Sequence, residues 1–334
     1  MEAAAAYQTA SLPPTRSTFV FAALAAANVL AWLWAWFSFH DHPALLGTAL
    51  LAYMLGVRHA FDADHIAAID NVVRNLIERH ESPQLTGLYF AMGHSTVVFA
   101  ATAAIITITH NAAGPLRMAQ SLGGSVGAIV STGFLLGIGL VNFFVLRDLL
   151  SSNHHDPRHA AKTPGPAGGI MTRLFRRLFR SVRSPWHMYP LGFLFGLGFD
   201  TASEIALFGI SAATSGQGIA LLNILCLPVL FASGMSIADL SNSVMMSRVY
   251  NWARRDMDTR RRYNVAMTSV SVGLALGIGL LQAASATVKT LELNNPVATA
   301  ILGFADSMAG GLGIGVTGLF VVLWAMMSVR FAGR

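Results

Sequence analysis

Ten consecutive residues carry the densest chemistry in the chain. Gly56-Val57-Arg58-His59-Ala60-Phe61-Asp62-Ala63-Asp64-His65 packs two imidazoles and two carboxylates into a segment that is otherwise apolar on its N-terminal side. Imidazole with carboxylate is the donor set of Ni, Co, Zn or Cu(II), whereas Mg or Ca would be met by oxygen alone. On a regular helix, at about 100° per residue, His59, Asp62 and His65 share an arc of about 120° and Asp64 points nearly opposite. Asp64 then either orients a ligand from behind or meets another helix, or the helix unwinds here, as helices often do at transport sites. The spacing leaves both arrangements open.

More such groups follow in apolar surroundings. Asp70, Asp200, Glu204, Asp239, Asp306 and His94 lie in or at the ends of hydrophobic stretches, and Arg58 is the only cation embedded with them. An ionisable residue at a helix centre costs about 2.5–3.5 kcal/mol on insertion scales. Seven acids against one base leave a surplus of negative charge that a cation would neutralise. The candidate metal ligands are His59, Asp62, Asp64, His65, His94, Asp200, Glu204 and Asp239. Asp70 and Asp306 read better as span-end or helix-packing groups. The polar turn His40-Asp41-His42 and the group His154-His155-Asp156 with His159 read as solvated segments.

The elements that must position these groups are membrane helices. Of 334 residues 54% are apolar and only 11% charged, against roughly 25% charged in a soluble globule. Apolar runs of about 20 residues, enough to cross a core of ~30 Å, recur along the chain. The expected fold is an all-α integral membrane protein with eight transmembrane helices, at 18–39, 44–76, 85–109, 123–149, 188–212, 217–247, 263–287 and 299–328. It forms one transporter domain over 1–334, with a basic cytoplasmic linker over 150–187. Arg74 and Arg79, the basic residues from Arg147 to Arg183, those from Arg248 to Arg262, and Arg16, Arg330 and Arg334 all fall on one side of such a chain. Only Arg117 and Lys289 fall on the other. The positive-inside rule then puts both termini in the cytoplasm and the protein in the inner membrane. The stretch 171–183 is basic and amphipathic, suited to an anionic leaflet. The net charge of +6 sits in these loops, which argues against nucleic acid as a partner; Cys226, the only cysteine, excludes an intrachain disulfide.

Two pairs of segments repeat. Phe90-Ala91-Met92-Gly93-His94-Ser95 matches Phe231-Ala232-Ser233-Gly234-Met235-Ser236, 141 residues on, and Ala63-Asp64-His65-Ile66-Ala67 matches Ala202-Ser203-Glu204-Ile205-Ala206, 139 residues on. A displacement of three spans inverts the second copy, so spans 1–3 and 4–6 form an expected inverted repeat, which places a site near the midplane.

Arg58 to Ile66 resembles the His-x4-Asp-His signature of the nickel/cobalt transporter (NiCoT) family. Gly93-His94-Ser95-Thr96-Val97-Val98, Leu197-Gly198-Phe199-Asp200-Thr201-Ala202-Ser203-Glu204, and Leu230 to Ser236 with Asp239 are similar to that family's later motifs, in order. The resemblance implies an eight-span secondary permease with cytoplasmic termini that imports Ni²⁺ or Co²⁺ as substrate, with no cofactor. His59, Asp64 and His65 would form the core of metal recognition, and His94, Asp200, Glu204 and Asp239 would be further motif residues. Leu240-Ser241-Asn242 departs from the family's usual Thr-x-Asp after the Asp239 position. No Gly-x4-Gly-Lys-Ser/Thr phosphate loop is present. The rival readings are an efflux permease for the same metals and, more remotely, a membrane metalloenzyme, for which the embedded histidines are too few.

Overall fold

The computed structural model describes residues 14–79, 81–109, 182–197, 202–215, 219–253 and 257–305, with parts of 129–150. Asp200, Asp306, Arg117, the linker over 151–181 with its histidines, and most of the expected span 299–328 lie outside the described residues. Every regular element among those described is helical: α1 Pro14–Phe39, α2 Pro43–Ala60, α3 Ala63–Glu78, α4 Thr86–Thr109 and α5 Thr132–Phe144. There follow α6 Met188–Gly196, α7 Ala202–Ser215, α8 Leu221–Ile224, α9 Cys226–Ala253, α10 Met257–Thr290 and α11 Pro296–Ala305.

Four stretches, Thr18–Phe39, Thr86–Thr107, Leu221–Arg248 and Val272–Thr290, are long and apolar enough to cross a membrane, and α2 with α3 makes a fifth if taken as one bent span. Phe19, Leu30, Trp36 and Phe37 of α1 point outward. Such an outward apolar face suits hydrocarbon, which competes with no hydrogen bond a helix makes internally. Among the described residues the protein is all-helical, with several helices suited to crossing a membrane.

The expected span 44–76 is two helices meeting at 51°. Pro43 starts α2 at a position where its missing N–H costs nothing. The helix closes tightly: Phe61 N donates to Arg58 O and Asp62 N to His59 O, both three residues back. Asp62 then takes an extended backbone as the N-cap of α3. A regular helix would have put Asp62 on the arc of His59 and His65; here it occupies the break itself. Of the expected span 188–212, the described residues form α6 and α7, on either side of 198–201.

α4 and α9 run through the middle of the bundle, with α2 packed on α9 and α6 on α4. The two crossings are built alike. A Cβ on Gly56 of α2 would strike the Phe231 carbonyl, and one on Gly234 of α9 the Tyr53 carbonyl. A Cβ on Gly192 of α6 would strike the Phe90 carbonyl, and one on Gly93 of α4 the Tyr189 carbonyl. Thus Tyr53-x-x-Gly56 crosses Phe231-x-x-Gly234 as Tyr189-x-x-Gly192 crosses Phe90-x-x-Gly93. Small residues permit such close backbone approach, which drives helix association in lipid, where apolar burial by itself does not. Two buried clusters flank these crossings. One joins Ile66, Val73, Phe90, Phe195 and Met246; the other joins Ala60, Ala91, Leu207, Phe231 and Met235.

Candidate metal centre

The break between α2 and α3 brings His59, at the end of one helix, against His65, in the first turn of the next; their rings are 4.4 Å apart between centroids. His94 arrives from α4, one residue after the glycine that lets α6 approach. Its ring lies 4.7 Å from that of His59 and 4.8 Å from that of His65. All three are buried, and one nitrogen of each falls within 4.8 Å of the others. The phenylalanines of the repeated segments wall the group: Phe90 meets His65 at 4.8 Å and Phe231 meets His59 at 5.4 Å.

Carboxylates complete the set. His59 Nε2 lies 2.9 Å from His94 Nε2, which in turn lies 2.9 Å from Glu204 Oε1 in the first turn of α7. Asp62 Oδ2 stands 3.1 Å from the other nitrogen of His59, Nδ1. A consistent proton assignment has His59 Nδ1–H donating to Asp62, which leaves the Nε2 lone pair facing the cluster. Asp239, from the middle of α9, brings Oδ2 to 3.6 Å from His65 Nδ1. That distance is too long for a hydrogen bond: both Asp239 oxygens, both His65 nitrogens and His94 Nδ1 are buried without hydrogen-bond partners. Buried polar atoms left so cost about 1–3 kcal/mol each. A cation accepting lone pairs from several of them would remove that cost, so the donor set fits a metal ion.

The helix ends assist. His59 lies in the last turn of α2, and the C-terminal end of a helix favours positive charge. The opposite dipole end, at the start of α3, is offset by two acids. Asp62 sits at its N-cap, and Asp64 Oδ1 accepts the His65 backbone N–H at 2.9 Å. Arg58 reaches from α2 to donate to Ser203 Oγ, beside Glu204, at 3.3 Å.

A family model described as high-affinity nickel-transport protein matches residues 45–330. The chain belongs to this family. Its members are transporters, so it is a permease-family protein and not an enzyme, with metal as cargo and not as cofactor. It is 41% identical over 318 residues to the hydrogenase nickel incorporation protein HupN of Bradyrhizobium diazoefficiens, covering 93% of this chain and 83% of that one. The nickel transporter NixA of Staphylococcus aureus is 39% identical over 308 residues, 90% of each chain. The cobalt transport protein NhlF of Rhodococcus rhodochrous is 38% identical over 295 residues, 84% of this chain and 81% of that one. No solved structure matches the chain.

Of the ligands expected from the sequence, the structure gathers His59, Asp62, His65, His94, Glu204 and Asp239 around one point; Asp64 is turned to its own helix terminus and Asp200 is not described. Sequence reasoning passed over the ring contacts of Phe90 and Phe231. Their signal was present, since each opens one copy of the repeated Phe-Ala-x-Gly segment. Asp70, expected to make a packing bond, accepts one from Tyr250 Oη of α9 at 2.5 Å. Nearby, Asn142 of α5 donates to Asn71 and accepts from Arg74 at 3.3 Å.

Proposed function

We propose that this nickel-transport family member imports Ni²⁺ or Co²⁺ across the cytoplasmic membrane through the His59–His65–His94 cluster near the midplane of the bilayer. The observation that carries the reading is the convergence of three buried imidazoles with Glu204 and Asp239 at a broken helix. His59, His65, His94 and Glu204 bind the ion, Asp62 orients His59, and Asp239 closes the set behind His65. Asp64 and Asp200 are further candidates for the ion's path, on their motif positions.

The donor types favour these metals. Three imidazoles with carboxylates suit a late transition metal, whereas Mg²⁺ or Ca²⁺ would be met by oxygen alone. The relatives named for nickel and for cobalt point the same way.

The architecture is eight spans with both termini in the cytoplasm, in a single domain over 1–334 with the basic linker 150–187 on the inner leaflet. The two like crossings, α2 on α9 and α6 on α4, support the inverted repeat and give each half a close-fitting surface against the other. Rocking of the halves about these crossings would expose the cluster to one side and then the other. The membrane potential suffices as driving force: a 2+ ion gains about 4.6 kcal/mol per 100 mV, about three decades of accumulation.

Uptake of radiolabelled Ni²⁺ and Co²⁺ by cells expressing wild type or His59→Ala, with and without an uncoupler, tests this. Saturable accumulation lost in the variant and lost with the uncoupler is expected. Lower metal content in cells expressing the wild type than in cells lacking it would overturn import in favour of efflux.

A further inference from the structure

We propose that Met235 contributes a thioether to the ion site and tunes its metal preference, an inference that rests on the transport reading above. Met235 is fully buried on α9. The residues one turn to either side, Phe231 and Asp239, share its helix face, since positions four apart are about 40° apart around the axis. Both meet the histidine cluster: Phe231 lies 5.4 Å from the His59 ring and Asp239 Oδ2 lies 3.6 Å from His65 Nδ1. Met235 occupies the centre of that arc, between a contact to one histidine and a contact to the other.

The repeat leads independently to the same residue. Gly93-His94 in α4 corresponds to Gly234-Met235 in α9. Each glycine lies at a backbone crossing of the same build, on α6 in one case and on α2 in the other. His94, after the first glycine, meets Glu204 of α7 and His65 of α3. Under the same correspondence Glu204 and His65 exchange places. The residue after the second glycine therefore faces that same pair from the other side. A sulfur there offers a soft, polarizable donor without charge. It favours a late transition metal and gives nothing to hard Mg²⁺ or Mn²⁺, which take oxygen.

Met235→Leu removes the sulfur at nearly constant volume, a change that packed cores tolerate well. In uptake assays normalised to transporter abundance, KM for Ni²⁺ is expected to rise about tenfold, as for a single change in a metal's ligand environment. Vmax should be little altered, and excess Mn²⁺ should compete more effectively than in wild type. Nickel-edge X-ray absorption on the purified, nickel-loaded protein supplies a second readout, independent of transport kinetics. It should show a sulfur scatterer that persists in Cys226→Ser and disappears in Met235→Leu. A spectrum of nitrogen and oxygen alone in the wild type, or an unchanged KM and unchanged Mn²⁺ competition in Met235→Leu, overturns the assignment while leaving transport intact. A wild type that neither binds nor takes up Ni²⁺ or Co²⁺ defeats the transport reading, and this assignment with it.

Discussion

Asp62 offers the sharpest test of how the site is built, because two roles for it predict different losses. Its carboxylate lies 3.1 Å from His59 Nδ1, while His59 Nε2 faces His94 and Glu204. In that arrangement Asp62 acts through the imidazole, holding the proton on Nδ1 and the lone pair on Nε2. Removing such an orienting partner costs about 10- to 100-fold in metal affinity, or about 1.4–2.7 kcal/mol. Asp62→Asn keeps an oxygen that accepts the same proton, so its loss should fall near the lower end, about tenfold in KM for Ni²⁺. Asp62→Ala removes the acceptor outright and should approach the upper end, about 100-fold. Initial rates of radiolabelled Ni²⁺ uptake, divided by transporter abundance from quantitative blotting, give KM and Vmax separately. A KM within twofold of wild type in both variants would refute the orienting role. Complete loss of saturable binding in Asp62→Asn, with the protein present at normal abundance, would make Asp62 a direct ligand instead.

The glycine crossings make a structural prediction with an internal control. A Cβ on Gly56 or Gly234 meets the backbone of the partner helix, which has no flexible end to yield, whereas one on Gly47 of α2 meets nothing within 4 Å. Alanine at 56 or 234 should destabilise the purified protein by about 1–3 kcal/mol, and alanine at 47 should be neutral or stabilising by up to about 1 kcal/mol. Thermal unfolding in detergent that ranks the three variants as equal would refute the close approach. Tyr250→Phe deletes the hydroxyl that donates to buried Asp70, at a cost of about 1.5–3 kcal/mol for a hydrogen bond to a charged group. The melting temperature should fall while KM for Ni²⁺ stays put; a raised KM with an unchanged melting temperature would place Asp70 on the ion's route.

Much of this protein is legible in one dimension because the membrane makes it so. Hydrocarbon tolerates few charges, so the scarcity of ionisable residues exposed the helices, and the exceptions at His59, Asp62, Asp64, His65, His94, Asp200, Glu204 and Asp239 marked the candidate site. The motifs themselves identified the family, since a donor set confined to one segment survives as a readable word. What tertiary structure alone decided is which arrangement holds at the cluster and what then meets. The spacing left a regular and an unwound helix both open over His59–His65, and the break at Phe61–Asp62 is the unwound one; periodicity describes a regular helix and carries no signal for which of the two the neighbouring helices favour. The union of His59 with His94, 35 residues away, and of His94 with Glu204, 110 residues away, depends on backbones touching at glycines on four different helices. Such an approach is set by the shapes of both partners at once, so neither segment carries it alone.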